Sequence, residues 1–327
     1  MKVAVCLCTC DREALLRECL AAVAHALRTA PPDAEVTVFV VDNRPGGGAA
    51  AVCEALRTEF PCTLQYAAEP ERGISFARNR AVAEALAWGA DFVAFLDDDD
   101  LPDADWLLRL LARQQETDAD LVFGTWRWPA DFALRPWQRD IKFFRAADFE
   151  KRNRFGLPAA AGTFNVAIRS ALLERMAADG PSFRRQFALA GGGDTDFFVR
   201  AHAGGARHAV ALDSRVTRRW EPARTTLLGV LRRAFRVGNT SALQDRETLD
   251  EPRWRRKRRR VVLRLARALL VTPWYLLPSR RFARHAFLLA RFSGDAYGRW
   301  IGGEFRYYDG ERSRTQPDAA GPNASSR

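Results

Sequence analysis

Within its first hundred residues the chain alternates repeatedly between short runs rich in β-branched and aromatic residues and longer helical patterns. The strand-like runs are Lys2 to Thr9, Glu35 to Val41, Cys62 to Tyr66 and Asp91 to Leu96. Between them the helical patterns cover Glu13 to Leu27, Ala49 to Phe60 and Ser75 to Trp88. A helix between two strands carries the chain back across the sheet, so neighbouring strands run parallel. The expectation is an α/β fold, a mostly parallel sheet with helices on both faces. Ligands of such sheets sit beyond the carboxyl ends of the strands. Two of those ends are acidic: Asp42 follows Val38 to Val41, and Asp97-Asp98-Asp99-Asp100 follows Phe92 to Leu96. Both would face one crevice.

With 327 residues, 47% of them apolar, the chain can bury an α/β domain plus an appendage. Wholesale disorder, a collagen-like chain and a disulfide miniprotein are excluded. All six cysteines (Cys6, Cys8, Cys10, Cys19, Cys53 and Cys62) fall early, without zinc-site spacing or the density of a secreted scaffold. They read as reduced core residues of a cytoplasmic protein. Met1 to Leu7 runs quickly into polar Thr9, Asp11 and Arg12, so no signal peptide is expected.

Four adjacent carboxylates repel one another unless water or a cation offsets them. A hard divalent metal suits an all-oxygen set, whereas the plainer reading is a solvated acidic turn with Asp103 capping a helix that begins near Ala104. Glu71 to Arg80 places Gly73 before a helix that carries Arg78 and Asn79 in its first turns, which fits an anionic ligand or simply a basic helix face. In Gly193-Asp194-Thr195-Asp196, Asp194 is either an N-cap or, if it lies across the crevice from the metal, a general base.

In this order the motifs resemble the family 2 glycosyltransferases of the GT-A fold, over roughly residues 1–245. The resemblance is carried by Cys8-Thr9-Cys10-Asp11-Arg12, Val41-Asp42-Asn43, Gly73 through Ala77-Arg78-Asn79, Asp97-Asp98-Asp99 with Pro102 and Trp106-Leu107, and Gly162-Thr163-Phe164-Asn165. It implies that Asp42 and the Thr9 to Asp11 turn hold the uracil end of a UDP-sugar, with Arg78 near the base or diphosphate. Asp97 would serve both nucleotide and metal, Asp98 would face the ribose, Asp99 would bind Mn²⁺ or Mg²⁺, and Asn165 would lie beside the donor sugar. Asp194 would be the base of an inverting hexosyl transfer to a saccharide or polyprenyl-diphosphate-linked acceptor. Gly-Asp-Thr-Asp-Phe-Phe and the run from Arg224 to Gly238 are similar to bacterial exopolysaccharide glucosyltransferases of the succinoglycan type. The chain departs from the pattern at Gly193, where many relatives carry Glu, and at Arg218, where some exopolysaccharide relatives align a Glu.

The net charge of +11 is local. Residues 251–291 hold 13 Lys/Arg against Glu251, a segment charge of +12, and the other residues (38 basic, 39 acidic) net −1. Arginines and Pro273 interrupt the apolar stretch Val261 to Leu277, which argues against a spanning helix. An in-plane pair of basic amphipathic helices on an anionic membrane surface is expected, against the alternative of a basic helix packed on the main domain. The expected organisation is a catalytic domain over 1–250, the membrane-surface segment over 251–308 and a disordered tail over 309–327, peripheral on the inner face of the cell membrane. The rival reading is a non-catalytic nucleotide- or nucleic-acid-binding protein. No nucleic-acid motif accompanies the basic run, so no nucleic acid is expected. A sugar-phosphate nucleotidyltransferase is disfavoured by the missing Gly-rich phosphate loop.

Overall fold

The computed structural model describes residues 1–44, 46–144, 149, 151–159, 161–219, 221–275, 281–302 and 305. The tail from 309 lies outside them. The strands are β1 (Lys2–Thr9), β2 (Glu35–Asp42), β3 (Thr63–Ala68), β4 (Phe92–Asp97), β5 (Asp100–Pro102), β6 (Leu121–Arg127), β7 (Asn165–Arg169) and β8 (His208–Arg218). They form one sheet in the order β3-β2-β1-β4-β7-β6-β8-β5. Only β7 and β5 run against the others, so the sheet is mostly parallel as expected.

The helices are α1 (Glu13–Leu27), α2 (Ala49–Leu56), α3 (Ile74–Ala87), α4 (Trp106–Thr117), α5 (Ser170–Ala177), α6 (Gly193–Ala203), α7 (Pro222–Thr225), α8 (Leu227–Thr248), α9 (Glu251–Tyr275) and α10 (Arg281–Trp300). Alternate residues of each central strand face opposite layers. Val3, Val5 and Leu7 of β1 meet Leu16, Leu20 and Val23 of α1, Val52 of α2 and Leu107 and Leu110 of α4. Ala4 and Cys6 face the other layer, with Ala77 and Ala81 of α3, Leu172 of α5 and Phe197 and Phe198 of α6.

Two helix boundaries differ from the pattern by more than one residue. The helix from Ala49 ends at Leu56 rather than Phe60, and Phe60 packs on the core from beyond the helix. The helix after the acidic turn begins at Trp106, with Asp105 at its N-cap. Asp103 instead makes a two-pronged ion pair with Arg127, at 2.6 and 2.8 Å.

The aromatic stretch after β6 forms a second core. Ile141 and Phe144 meet Val230 and Ala234 of α8 and Phe287 of α10. Helices α8 and α10 cross closely because Gly238 and Gly294 remove the Cβ atoms that would strike the opposing backbone. One face of α10 is therefore packed on α8 and the second core. No helix among the described residues is long and apolar enough to cross a membrane.

Candidate active site

Parallel register brings the chemistry-bearing strand ends level. Thr9 pairs with Asp42 across β1 and β2, and Cys8 pairs with Asp97 across β1 and β4. Beyond β2, the Asn43 side chain donates to the carbonyls of Glu69 and Glu71 at 3.1 and 2.8 Å and accepts from the Gly73 amide at 2.7 Å. These bonds seat the start of α3 at the same edge of the sheet. Asp42 itself is buried and accepts from the Arg44 amide at 3.1 Å and from the Tyr66 hydroxyl at 3.5 Å. Burial raises its pKa. Asp11 is ion-paired with Arg44.

The aspartates take different partners as the chain turns from β4 into β5. Asp98 accepts from the Thr9 hydroxyl at 2.7 Å and from Arg12 Nη1 at 3.0 Å. Asp99 faces Arg12 at 3.5 Å and Arg224 at 3.6 Å, and Glu221 lies 3.2 Å from Arg12. Asp100 pairs with Arg218 across β5 and β8, and the guanidinium grips its carboxylate at 3.2 and 3.0 Å. Arg218 also lies over the rings of Trp126 and Phe164. Oxygens of Asp97, Asp99 and Asp100 all lie within 4.8 Å of one another.

Burial is the first cause of strain in this cluster. It raises the pKa of Asp98 and that of Asp99, to which the neighbouring aspartates add, and pushes Asp100 up to about 6 against the pull of Arg218. Burial works against the charge of Arg12 too, but Asp98, Asp99 and Glu221 outweigh it and hold the guanidinium protonated. Three close carboxylates at a sheet edge are a hard-oxygen donor set, and they fit Mg²⁺ or Mn²⁺.

Asp194 lies in the first turn of α6, one residue beyond the helix start. The N-cap is Gly192, whose φ of 86° suits glycine, and no side chain caps this end. Asp194 Oδ1 accepts from the Thr195 amide at 2.7 Å, and its Oδ2 is adjacent to Gly162. Gly193 abuts Ser75 in the first turn of α3, so both helix starts lie at the carboxyl edge of the sheet.

Among the expected residues, Thr9, Asp97, Asp98 and Asp99 form one cluster, with Asp42 at the adjoining strand end and Asp11 two residues past β1, on Arg44. Arg78 lies on α3, its guanidinium over the Phe183 ring and its charge felt at Cys8. Asn165 is fully buried below the crevice. Its amide accepts from the Trp106 indole at 2.7 Å and donates to the carbonyls of Thr125 and Ser214 at 3.0 and 3.1 Å. The six cysteines form no disulfide, and burial pushes the Cys8 thiol up to about 12.

Sequence reasoning gave no role to Arg12, Arg218, Glu221 or Arg224 in holding the acidic cluster. Arg12 sat within a recognised motif, but its partners are more than eighty residues away in the chain.

The sequence model of Glycosyl transferase family 2 matches residues 4–176. The chain is 34% identical over 219 residues to the succinoglycan biosynthesis protein ExoM of Rhizobium meliloti (strain 1021), covering 66% of this chain and 67% of that protein. The fold is similar to the crystal structure of TarS residues 1–349 from S. aureus, with TM-score 0.53 and 16% identity, over 94% of this chain and 93% of that one. It is also similar to the mannosyltransferase PcManGT of Pyrobaculum calidifontis, in complex with GDP-Man and Mn²⁺, with TM-score 0.59 and 19% identity, over 92% and 88% of the two chains.

Sheet, crevice and similarity together define a glycosyltransferase of the GT-A fold. The chain belongs to glycosyltransferase family 2. A purely nucleotide- or nucleic-acid-binding role is not favoured.

Proposed function

We propose that this glycosyltransferase moves a hexose from a UDP-sugar, with inversion and with a divalent metal, to a saccharide or polyprenyl-diphosphate-linked acceptor in bacterial polysaccharide biosynthesis. The observation that carries the reading is the convergence of Asp97, Asp99 and Asp100 at the carboxyl edge of the sheet, level with Asp42 and Thr9. ExoM, by its name a succinoglycan biosynthesis protein, supports the polysaccharide setting.

In this reading Asp42 and the Thr9 to Asp11 turn hold the uracil end, and Arg78 stands near the base or diphosphate. Asp98, fixed by Thr9 and Arg12, faces the ribose. Asp97 and Asp99, with Asp100 beside them, would hold Mn²⁺ or Mg²⁺, which when bound offsets charge on the departing diphosphate. Asn165 acts from below: by tying Trp106 to the backbone of Thr125 and Ser214, it sets the floor on which the donor sugar rests. Asp194 Oδ2 takes the proton of the acceptor hydroxyl as that oxygen attacks the anomeric carbon from the face opposite the diphosphate. The departure at Gly193 leaves Asp194 as the base, because Asp196 is spent on Arg200 at 2.9 Å and Arg184 at 3.6 Å.

The chain is read as a catalytic unit over 1–250 with a basic segment over 251–308 lying on the anionic inner face of the membrane. Exposed Leu263, Leu270 and Trp274 on α9 share one side of that helix and support this placement.

Asp194→Asn tests the chemistry. It should keep the fold and the UDP affinity yet lose transfer by about 10² or more. Transfer at a near wild-type rate would remove Asp194 from the mechanism.

A further inference from the structure

Helix α9 carries Arg253, Arg256, Lys257, Arg260 and Arg264 at spacings of three and four residues, so they share one face. With Asp295 of α10 they line a cavity of about 290 Å³ in which five cations meet that single carboxylate. The nearby acids are already engaged. Asp245 of α8 is buried and takes Lys257 at 2.5 Å, Arg154 at 3.2 Å and also Arg299, while Asp295 takes Arg299 at 2.6 Å. Among the described residues, no carboxylate lies within ion-pair distance of Arg256, Arg260 or Arg264. Arg299 is buried and stacked on Trp254, and its Nη1 has no hydrogen-bond partner among the described residues. Lys257 and Arg291 are held below their ordinary pKa values, first by burial and then by neighbouring cations, Arg154 for both and Arg264 for Arg291.

The groove therefore carries an excess of positive charge that its own carboxylates do not balance. The geometry points to a second ligand site between α9 and α10, separate from the crevice, that binds a phosphate-type anion: a phosphate or diphosphate monoester. Arg256, Arg260 and Arg264 present guanidinium forks along the groove, and a dianion there would gain charge-assisted bonds from several of them at once. Such a group comes either from a lipid headgroup or from a soluble phosphate. The site does not require a bilayer, so it stands or falls separately from the membrane placement proposed above.

Inorganic pyrophosphate, titrated calorimetrically into the full chain in EDTA, tests the site. The wild type should bind it, and Arg260→Gln/Arg264→Gln should weaken binding about tenfold or more. Arg255→Gln/Arg259→Gln removes the same charge from outside the cavity and should keep the wild-type affinity. Flotation with phosphatidic acid or phosphatidylserine vesicles of matched surface charge separates the sources. A preference for phosphatidic acid that disappears only in the Arg260/Arg264 variant identifies a headgroup. Loss of pyrophosphate binding with unchanged flotation identifies a soluble phosphate. Absence of pyrophosphate binding by the wild type, or equal behaviour of the two variants, would overturn the proposal in favour of a diffuse basic face.

Discussion

Raising the pH of the metal-free protein from about 5 to about 7.5 should weaken its fold, and Asp100 sets the scale. Its carboxyl is pushed from an ordinary 3.8 up to about 6, because it is fully buried and Arg218 only partly offsets that cost. The folded chain therefore holds this proton more tightly than the unfolded chain does. The stabilisation is fully present below the unfolded value and is lost as pH rises through about 6. At about 1.4 kcal/mol per pH unit, the displacement amounts to about 3 kcal/mol, of which roughly half disappears between about pH 5 and about pH 7.5. Asp98 and Asp99 are raised too and add in the same direction. Urea unfolding in EDTA across this range measures the slope, and Asp100→Asn should flatten it. Mn²⁺ should restore more stability at the upper end, where the Asp100 proton no longer competes for its oxygens. Identical slopes for the wild type and Asp100→Asn would refute this electrostatic account.

Asn165→Ala removes three buried hydrogen bonds and should cost at least about 3 kcal/mol in chemical denaturation. Unchanged stability with weakened nucleotide binding would make Asn165 a direct ligand contact instead. For the basic segment, full-length protein should float with anionic vesicles and come off incompletely as salt rises, because the exposed leucines of α9 are not screened. Flotation of a variant with Leu263, Leu270 and Trp274 changed to Ser should fall sharply, and equal flotation would remove the membrane placement.

The parallel half of the sheet was legible because two periodicities alternate there without interruption. Lys2–Thr9 and Glu13–Leu27 match the structure residue for residue, and Asp42 and Asp97 end their strands at one edge. Phe60 misled the helix boundary: its apolar character serves a core contact made outside the helix, which periodicity alone does not distinguish. The acidic run read as one turn, yet Asp100 opens a strand whose partner begins more than a hundred residues later. For the same reason, Arg218 looked like a departure from the family pattern rather than the counter-charge of Asp100. Asn165 lay in a recognised motif, but only the fold shows that its amide is spent on Trp106, Thr125 and Ser214. The packing of α10 on α8 was likewise hidden, since Gly238 and Gly294 carry no apolar signal.

Calorimetric titration of UDP into the wild type and Asp99→Asn, each with Mn²⁺ and with EDTA, tests the central claim most directly. Asp99 lies among carboxylates that would repel a diphosphate without a bridging cation. The wild type should therefore bind UDP with Mn²⁺ and lose about tenfold or more in affinity in EDTA, and Asp99→Asn should bind weakly in both. Undiminished affinity in EDTA and in the variant would contradict the assignment of this crevice as a metal-dependent nucleotide-sugar site.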